Sequence, residues 1–149
     1  MTGPVTATYT IAGYEFVVNA PAAYFFQDGS QYGNPEPNKG LYISKQSAYL
    51  AFPAIAGKSL QKVVVSTPTS SGSAIEIAIN DANGVAAEGG MNQTINSNET
   101  VTFNLSNTTE NTSYRIEVMN SKNFQINKLV LTYSDGGETP VSYTHLRAH

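Results

Sequence analysis

The chain contains no cysteine and no tryptophan, and its two histidines, His145 and His149, stand among the last residues. Without cysteine there is no disulfide framework, no thiol nucleophile and no thiolate metal site. Without histidine in residues 1–140 there is no Ser-His-Asp or Cys-His constellation and no imidazole-ligated metal there. Charge is also scarce. Charged residues make up 13% of the chain, the formal net charge is -3, and no basic cluster occurs. A nucleic-acid partner is therefore not expected, because phosphate neutralisation needs concentrated Lys and Arg. No apolar run approaches the roughly 20 residues that span a bilayer, so direct membrane insertion is not expected either. No phosphate-binding glycine loop follows a strand. The opening MTGPVTATYT has neither a basic n-region nor an apolar h-region. If the protein is exported, its signal lies upstream and this chain is a fragment.

What is present is a β-rich composition. Hydrophobic residues are 40% of 149, a length suited to one domain, and Thr, Ser, Asn and Gly fill much of the rest. Residues 113–133 organise the chain. Tyr114, Ile116 and Val118 alternate with Arg115 and Glu117, the period of a strand with one wet face. Asn120, Ser121, Lys122 and Asn123 suit a turn, and a second run follows. Its apolar parity changes between Ile126 and Leu129, which predicts a β-bulge near Asn127-Lys128. The expectation is a closing hairpin. Upstream, residues 5–18 hold one or two strands around Ala12-Gly13. Residues 41–45 and 48–52 suggest a hairpin through Gln46-Ser47. In residues 74–80, Ile75, Ile77 and Ile79 should face inward, with Glu76 and Asn80 outward. Asn83-Gly84 signals a hairpin turn, with a short return strand over 85–87. Residues 28–40 and 89–98 read as polar loops. Val101, Phe103 and Leu105 should face inward in residues 99–105. About nine short strands at this spacing predict an all-β fold, an antiparallel two-sheet β-sandwich of jelly-roll type, with a β-barrel as the alternative.

Few residues carry chemistry. Glu15, Asp28, Glu36, Glu76, Asp81, Glu88, Glu99, Glu110 and Glu117 could supply paired carboxylates, but most fall on wet strand faces or turns. The chain is read as not an enzyme. No cofactor is expected. A structural calcium stays open at residues 81–84, which offer oxygen ligands without the acidic density of an EF-hand loop; a plain turn explains them better. Sequons at Asn92, Asn98, Asn104, Asn107 and Asn111 read as chance in an Asn/Thr-rich domain. The aromatics have more potential. A sugar ring can stack on Tyr32, with hydroxyl partners from Asn34 and from the loops carrying Asn92, Gln93, Asn120, Lys122 and Asn123. Tyr42, Tyr49, Phe16, Phe52 and Phe103 read as core.

The stretches TYTIAGYEFVVNAP, AYLAFPAIAGKSLQKVVVST, AINDANGVAAEGG and NTSYRIEVMNSKNFQINKLVLTY together resemble β-sandwich accessory modules of secreted and lipid-anchored proteins of gut bacteria. These are galactose-binding-like jelly rolls, the fold of many carbohydrate-binding modules. The resemblance covers about residues 8–133 and departs from well-characterised sugar binders in lacking tryptophan. The final VSYTHLRAH resembles a translated sequencing-adapter read. The expected organisation is one β-sandwich domain over 1–134, then a linker and non-native tail over 135–149. The resemblance implies a non-catalytic module at the cell surface or outside the cell. Its expected partners are a glycan and the neighbouring domains of a larger chain; the alternative is a structural or adhesive spacer.

Overall fold

The computed structural model describes residues 5–11, 13–20, 24–27, 40–69, 71–134 and 137–141. Among them the chain forms thirteen strands and no helix. In order these are β1 (Val5–Ile11), β2 (Tyr14–Ala20), β3 (Tyr24–Gln27), β4 (Gly40–Ser44), β5 (Tyr49–Ala51), β6 (Leu60–Ser66), β7 (Ile75–Asn80), β8 (Gln93–Ile95), β9 (Thr100–Asn104), β10 (Arg115–Val118), β11 (Asn123–Ile126), β12 (Lys128–Tyr133) and β13 (Gly137–Val141). They form three sheets, ordered β1-β2-β5-β10-β7-β8, β11-β4-β3 and β13-β12-β6-β9. Every ladder is antiparallel.

The strands form where apolar residues alternate, and all three sheets turn that face to one core. The six-stranded sheet supplies Phe16 and Val18, Ile75, Ile77 and Ile79, and Ile116 and Val118. Opposite them lie Leu41 and Ile43 of β4, Phe124 and Ile126 of β11, Val63 and Val65 of β6, and Leu129 and Leu131 of β12. The arrangement is all-β and sandwich-like. Phe16, Phe52, Phe103 and Phe124 are the largest fully buried side chains. Each contributes roughly 1.5–3 kcal/mol through removal from water.

The first hairpin is two strands, as one of the two expected forms had it. Ile11 pairs with Tyr14, and Gly13 takes φ 83°, the left-handed conformation a tight turn needs. The expected closing hairpin does not form. β10 pairs with β5 and β7, whereas β11 pairs with β4. The polar turn between them is a crossing from one layer to the other. Asn120 explains the departure, since its side chain is bonded to Ala74 and Glu76 on the β7 side. Beyond it the Lys45 N–H donates to the Lys122 carbonyl at 3.1 Å, bringing the chain alongside β4. The parity change between Ile126 and Leu129 is not the expected bulge at Asn127-Lys128 but a change of sheet, and the register shift in β12 falls at Thr132-Tyr133. β11 stops pairing with β4 at Ile126, and β12 starts pairing with β6 at Lys128, with the Asn127 N–H on the Ser66 carbonyl at 3.1 Å.

The hairpin expected through Gln46-Ser47 is also a crossing, because β4 and β5 belong to different sheets. Lys45 at φ 77° and Ser47 at φ 78° make the turn. Asn80 keeps the expected outward side of β7 but is covered there, at 2% exposure, and its amide donates to Glu117 Oε1 at 3.1 Å. The polar stretch 89–98 contains strand β8, paired with β7. Residues 85–87 make a single bridge, Asn80 to Ala86, instead of a strand. Within the stretch read as linker, β13 pairs with β12 from Gly137 to Val141; residues 142–149 lie outside the described residues.

Candidate functional site

The outer face of β4 and β11 carries the site. Alternation puts Leu41 and Ile43 in the core and turns Tyr42 outward. The antiparallel register sets Tyr42 opposite Gln125 and pairs Asn123 with the next outward position of β4, so Tyr42, Asn123 and Gln125 share one face of the sheet. Tyr42, Asn123 and Gln125, together with Lys45 and Lys122 beyond the strand ends, line an open concavity of about 310 Å³. Gly72, Ser73 and Ser121 complete its lining among the described residues. Gly72 comes near the strand, where an added Cβ would sit 3.9 Å from the Asn123 carbonyl oxygen. That volume is at the small end for a ligand site. Its lining carries one aromatic ring, two amides, three hydroxyls and two ammonium groups.

The residues expected to bind ligand divide three ways. Lys122 and Asn123 come together in this concavity. Asn120 is engaged in holding the fold, its Oδ1 accepting from the Glu76 N–H at 3.1 Å and its Nδ2 donating to the Ala74 carbonyl at 3.0 Å. Asn92 donates to Glu76 Oε1 at 3.2 Å, and Gln93 donates to the Thr102 carbonyl at 2.9 Å. Neither lines the concavity. Tyr32 and Asn34 lie outside the described residues.

Two tyrosines expected in the core are half-buried on outer faces instead. Tyr42 lines the concavity, and Tyr49 lies under the Arg115 guanidinium, 3.8 Å from its ring centroid, a cation–π contact. A visible signal existed: Tyr42 sits between Leu41 and Ile43, and only one parity of a half-wet strand can face in. Lys45, Ser73, Ser121 and Gln125 were not singled out in the sequence, because only the β4–β11 pairing and the approach of residues 72–73 gather them.

Among the described residues, five carboxylates accept hydrogen bonds from amides: Glu76, Asp81, Glu88, Glu99 and Glu117. Asp81 Oδ1 accepts the N–H groups of Asn83 at 2.8 Å and Val85 at 3.0 Å, so the turn expected at residues 81–84 is held by the Asp81 side chain. Glu99 Oε1 accepts the Asn96 N–H at 2.8 Å, and Glu88 accepts from the Asn107 amide at 3.0 Å. A second concavity of about 290 Å³ is lined by Glu15, Val17, Phe52, Pro53, Ala54 and Ser113. Its serine hydroxyl is directed at the Phe52 carbonyl, 2.6 Å away. Burial, and next the neighbouring Tyr14, push the Tyr133 phenol well above its ordinary range; its hydroxyl donates to the Pro53 carbonyl at 2.9 Å.

No family model matches the chain, and neither the curated proteins nor the solved structures contain a significant match to it.

Proposed function

We propose that this chain is a non-catalytic accessory module of a bacterial cell-surface or secreted protein, binding carbohydrate weakly on the Tyr42 face. The observation that carries the reading is the company Tyr42 keeps. A half-buried ring lies beside amide, hydroxyl and ammonium groups in one concavity. A pyranose C–H face stacks on such a ring, and its hydroxyls take hydrogen bonds from the groups around it. Strands β4 and β11 hold the ring and the amides in place by backbone pairing, so little is ordered on binding.

The finer fold reading is a jelly roll of the galactose-binding-like kind. It is supported by the crossings between layers at β4–β5 and β10–β11, where simple hairpins would have stayed in one sheet. The Tyr114 hydroxyl, accepting the Thr109 N–H at 2.9 Å, is the kind of tyrosine corner found in Greek-key sandwiches. The alternative, a spacer or adhesive domain, is favoured by Val85 and Met91, large apolar side chains exposed at 61% and 73%.

The test is a glycan-array screen of the chain, with and without calcium, alongside Tyr42→Ala. Binding to one glycan class, weakened about tenfold or more in the variant, is the expected result. A folded sample that binds no glycan would sink the reading in favour of the spacer.

A further inference from the structure

We propose that the Tyr42 concavity selects an acidic saccharide, one bearing a carboxylate or a sulfate ester, with Lys45 and Lys122 holding the anionic group. This deepens the carbohydrate reading and rests on it.

The first observation is charge. The chain has 8 Lys and Arg against 11 Asp and Glu. Yet among the described residues the lining of this concavity holds two lysines and no carboxylate. A net-negative protein has gathered a local positive site, and a cleft lined by one sign of charge focuses its field on the opposite sign.

The second is hydrogen-bond polarity. A neutral sugar presents hydroxyl groups, which need acceptors as well as donors, and carboxylates are the strongest acceptors a protein has. This lining supplies ammonium groups, which only donate. Acceptors come from Asn123 and the hydroxyls of Tyr42, Ser73 and Ser121, while Gln125 is buried at 6% exposure. The balance is tilted toward donors, which suits a ligand with an anionic acceptor.

The third is the way the two cations are placed. Lys45 and Lys122 are distant in sequence but adjacent in space, joined by the 3.1 Å backbone bond from the Lys45 N–H to the Lys122 carbonyl. That bond extends the ladder beyond the Ser44–Asn123 pair. Backbone pairing therefore sets the two lysines side by side at one concavity. Lys45 also takes φ 77°, where Gly or Asn would be less strained. An ammonium is a compact point charge and serves carboxylate and sulfate alike, so the ligand arms below must separate the two.

The experiment is calorimetric titration of the whole chain with three oligosaccharides of equal length. These are an oligogalacturonate, a sulfated galactan fragment and a neutral galactan fragment, each at low and high NaCl. The variants are Lys45→Gln, Lys122→Gln and Tyr42→Ala. The expected result is binding of one or both acidic probes, at least tenfold weaker binding of the neutral one, and weakening by high salt. Each Lys→Gln change should reduce acidic-probe affinity about three- to tenfold, as loss of an exposed charge contact does. Both lysines are exposed, so these variants keep the fold. Equal binding of the neutral probe, unaffected by Lys→Gln but lost in Tyr42→Ala, would overturn this inference and leave the carbohydrate reading standing. Failure of all three probes with folded protein would overturn the inference; the glycan-array screen then decides the broader reading separately.

Discussion

Tyr133→Phe removes one oxygen atom from the core and should be read twice, at neutral and at alkaline pH. The ring is 2% exposed, and its hydroxyl donates to the buried Pro53 carbonyl at 2.9 Å. Removing the donor leaves that carbonyl unsatisfied, at a cost of about 1–3 kcal/mol. For a chain of this size the melting temperature should fall by about 2–12 °C at pH 7. The alkaline limb has the opposite sense. The phenol ionises near its ordinary value of 10.0 in the unfolded chain, whereas in the fold burial, and then Tyr14, raise that value. A raised folded pKa gives stability that is complete below the unfolded value. It is lost as pH climbs from about 10 toward the folded value, at about 1.4 kcal/mol per pH unit. By pH 11.5 the native protein should have lost about 2 kcal/mol from this residue, close to what the hydrogen bond supplied. The variant lacks this loss. Urea denaturation followed by circular dichroism from pH 7 to 11.5 should show the two stability curves separated at pH 7 and converging above pH 10. Equal stability at pH 7, or a gap that stays constant from pH 9 to 11.5, would refute the reasoning.

Other perturbations separate backbone from side-chain demands. Gly89→Ala should destabilise by more than about 2 kcal/mol, because its φ is 84° and an added Cβ would overlap the Asn104 carbonyl oxygen. Gly84→Ala, with a similar φ of 79° but open space around it, should cost only about 1 kcal/mol. Urea midpoints in the reverse order would contradict the close approach at Gly89. Asn120→Ala should lower stability by about 1–3 kcal/mol, since it removes the bonds to both Ala74 and Glu76. A variant as stable as the parent would return Asn120 to the pool of ligand-binding amides.

The strands were legible in the sequence far more than their partners were. Alternation in residues 75–79 and 114–118 marks Ile75, Ile77, Ile79, Ile116 and Val118 as inward, and all are buried. Pairing depends on turn conformation, and there the local chemistry misleads. Lys45 and Ser47 are not residues that announce a left-handed turn, yet both adopt positive φ and carry the chain between layers. The polar residues 120–123 look like any hairpin turn, and only the bonds of Asn120 to β7 reveal a crossing. Asn80 reads as solvent-facing because its amide partner, Glu117, belongs to another strand. The candidate site was half legible for the same reason. Lys122 and Asn123 lie in a polar loop that invites a binding role. Tyr42 could be read as outward from its parity between Leu41 and Ile43, but Lys45 was hidden by its distance along the chain from Lys122. Site residues brought together by pairing between distant strands leave no local motif to read.

The most direct test of the central claim is a heteronuclear NMR titration of the isotopically labelled chain with the saccharide that binds best in the array. The account predicts that the largest shift changes cluster at Tyr42, Lys45, Ser73, Lys122 and Asn123, with Asn92 and Gln93 little moved. Changes centred on Glu15, Phe52 and Ser113, or on residues 28–39, would place the ligand elsewhere and contradict it.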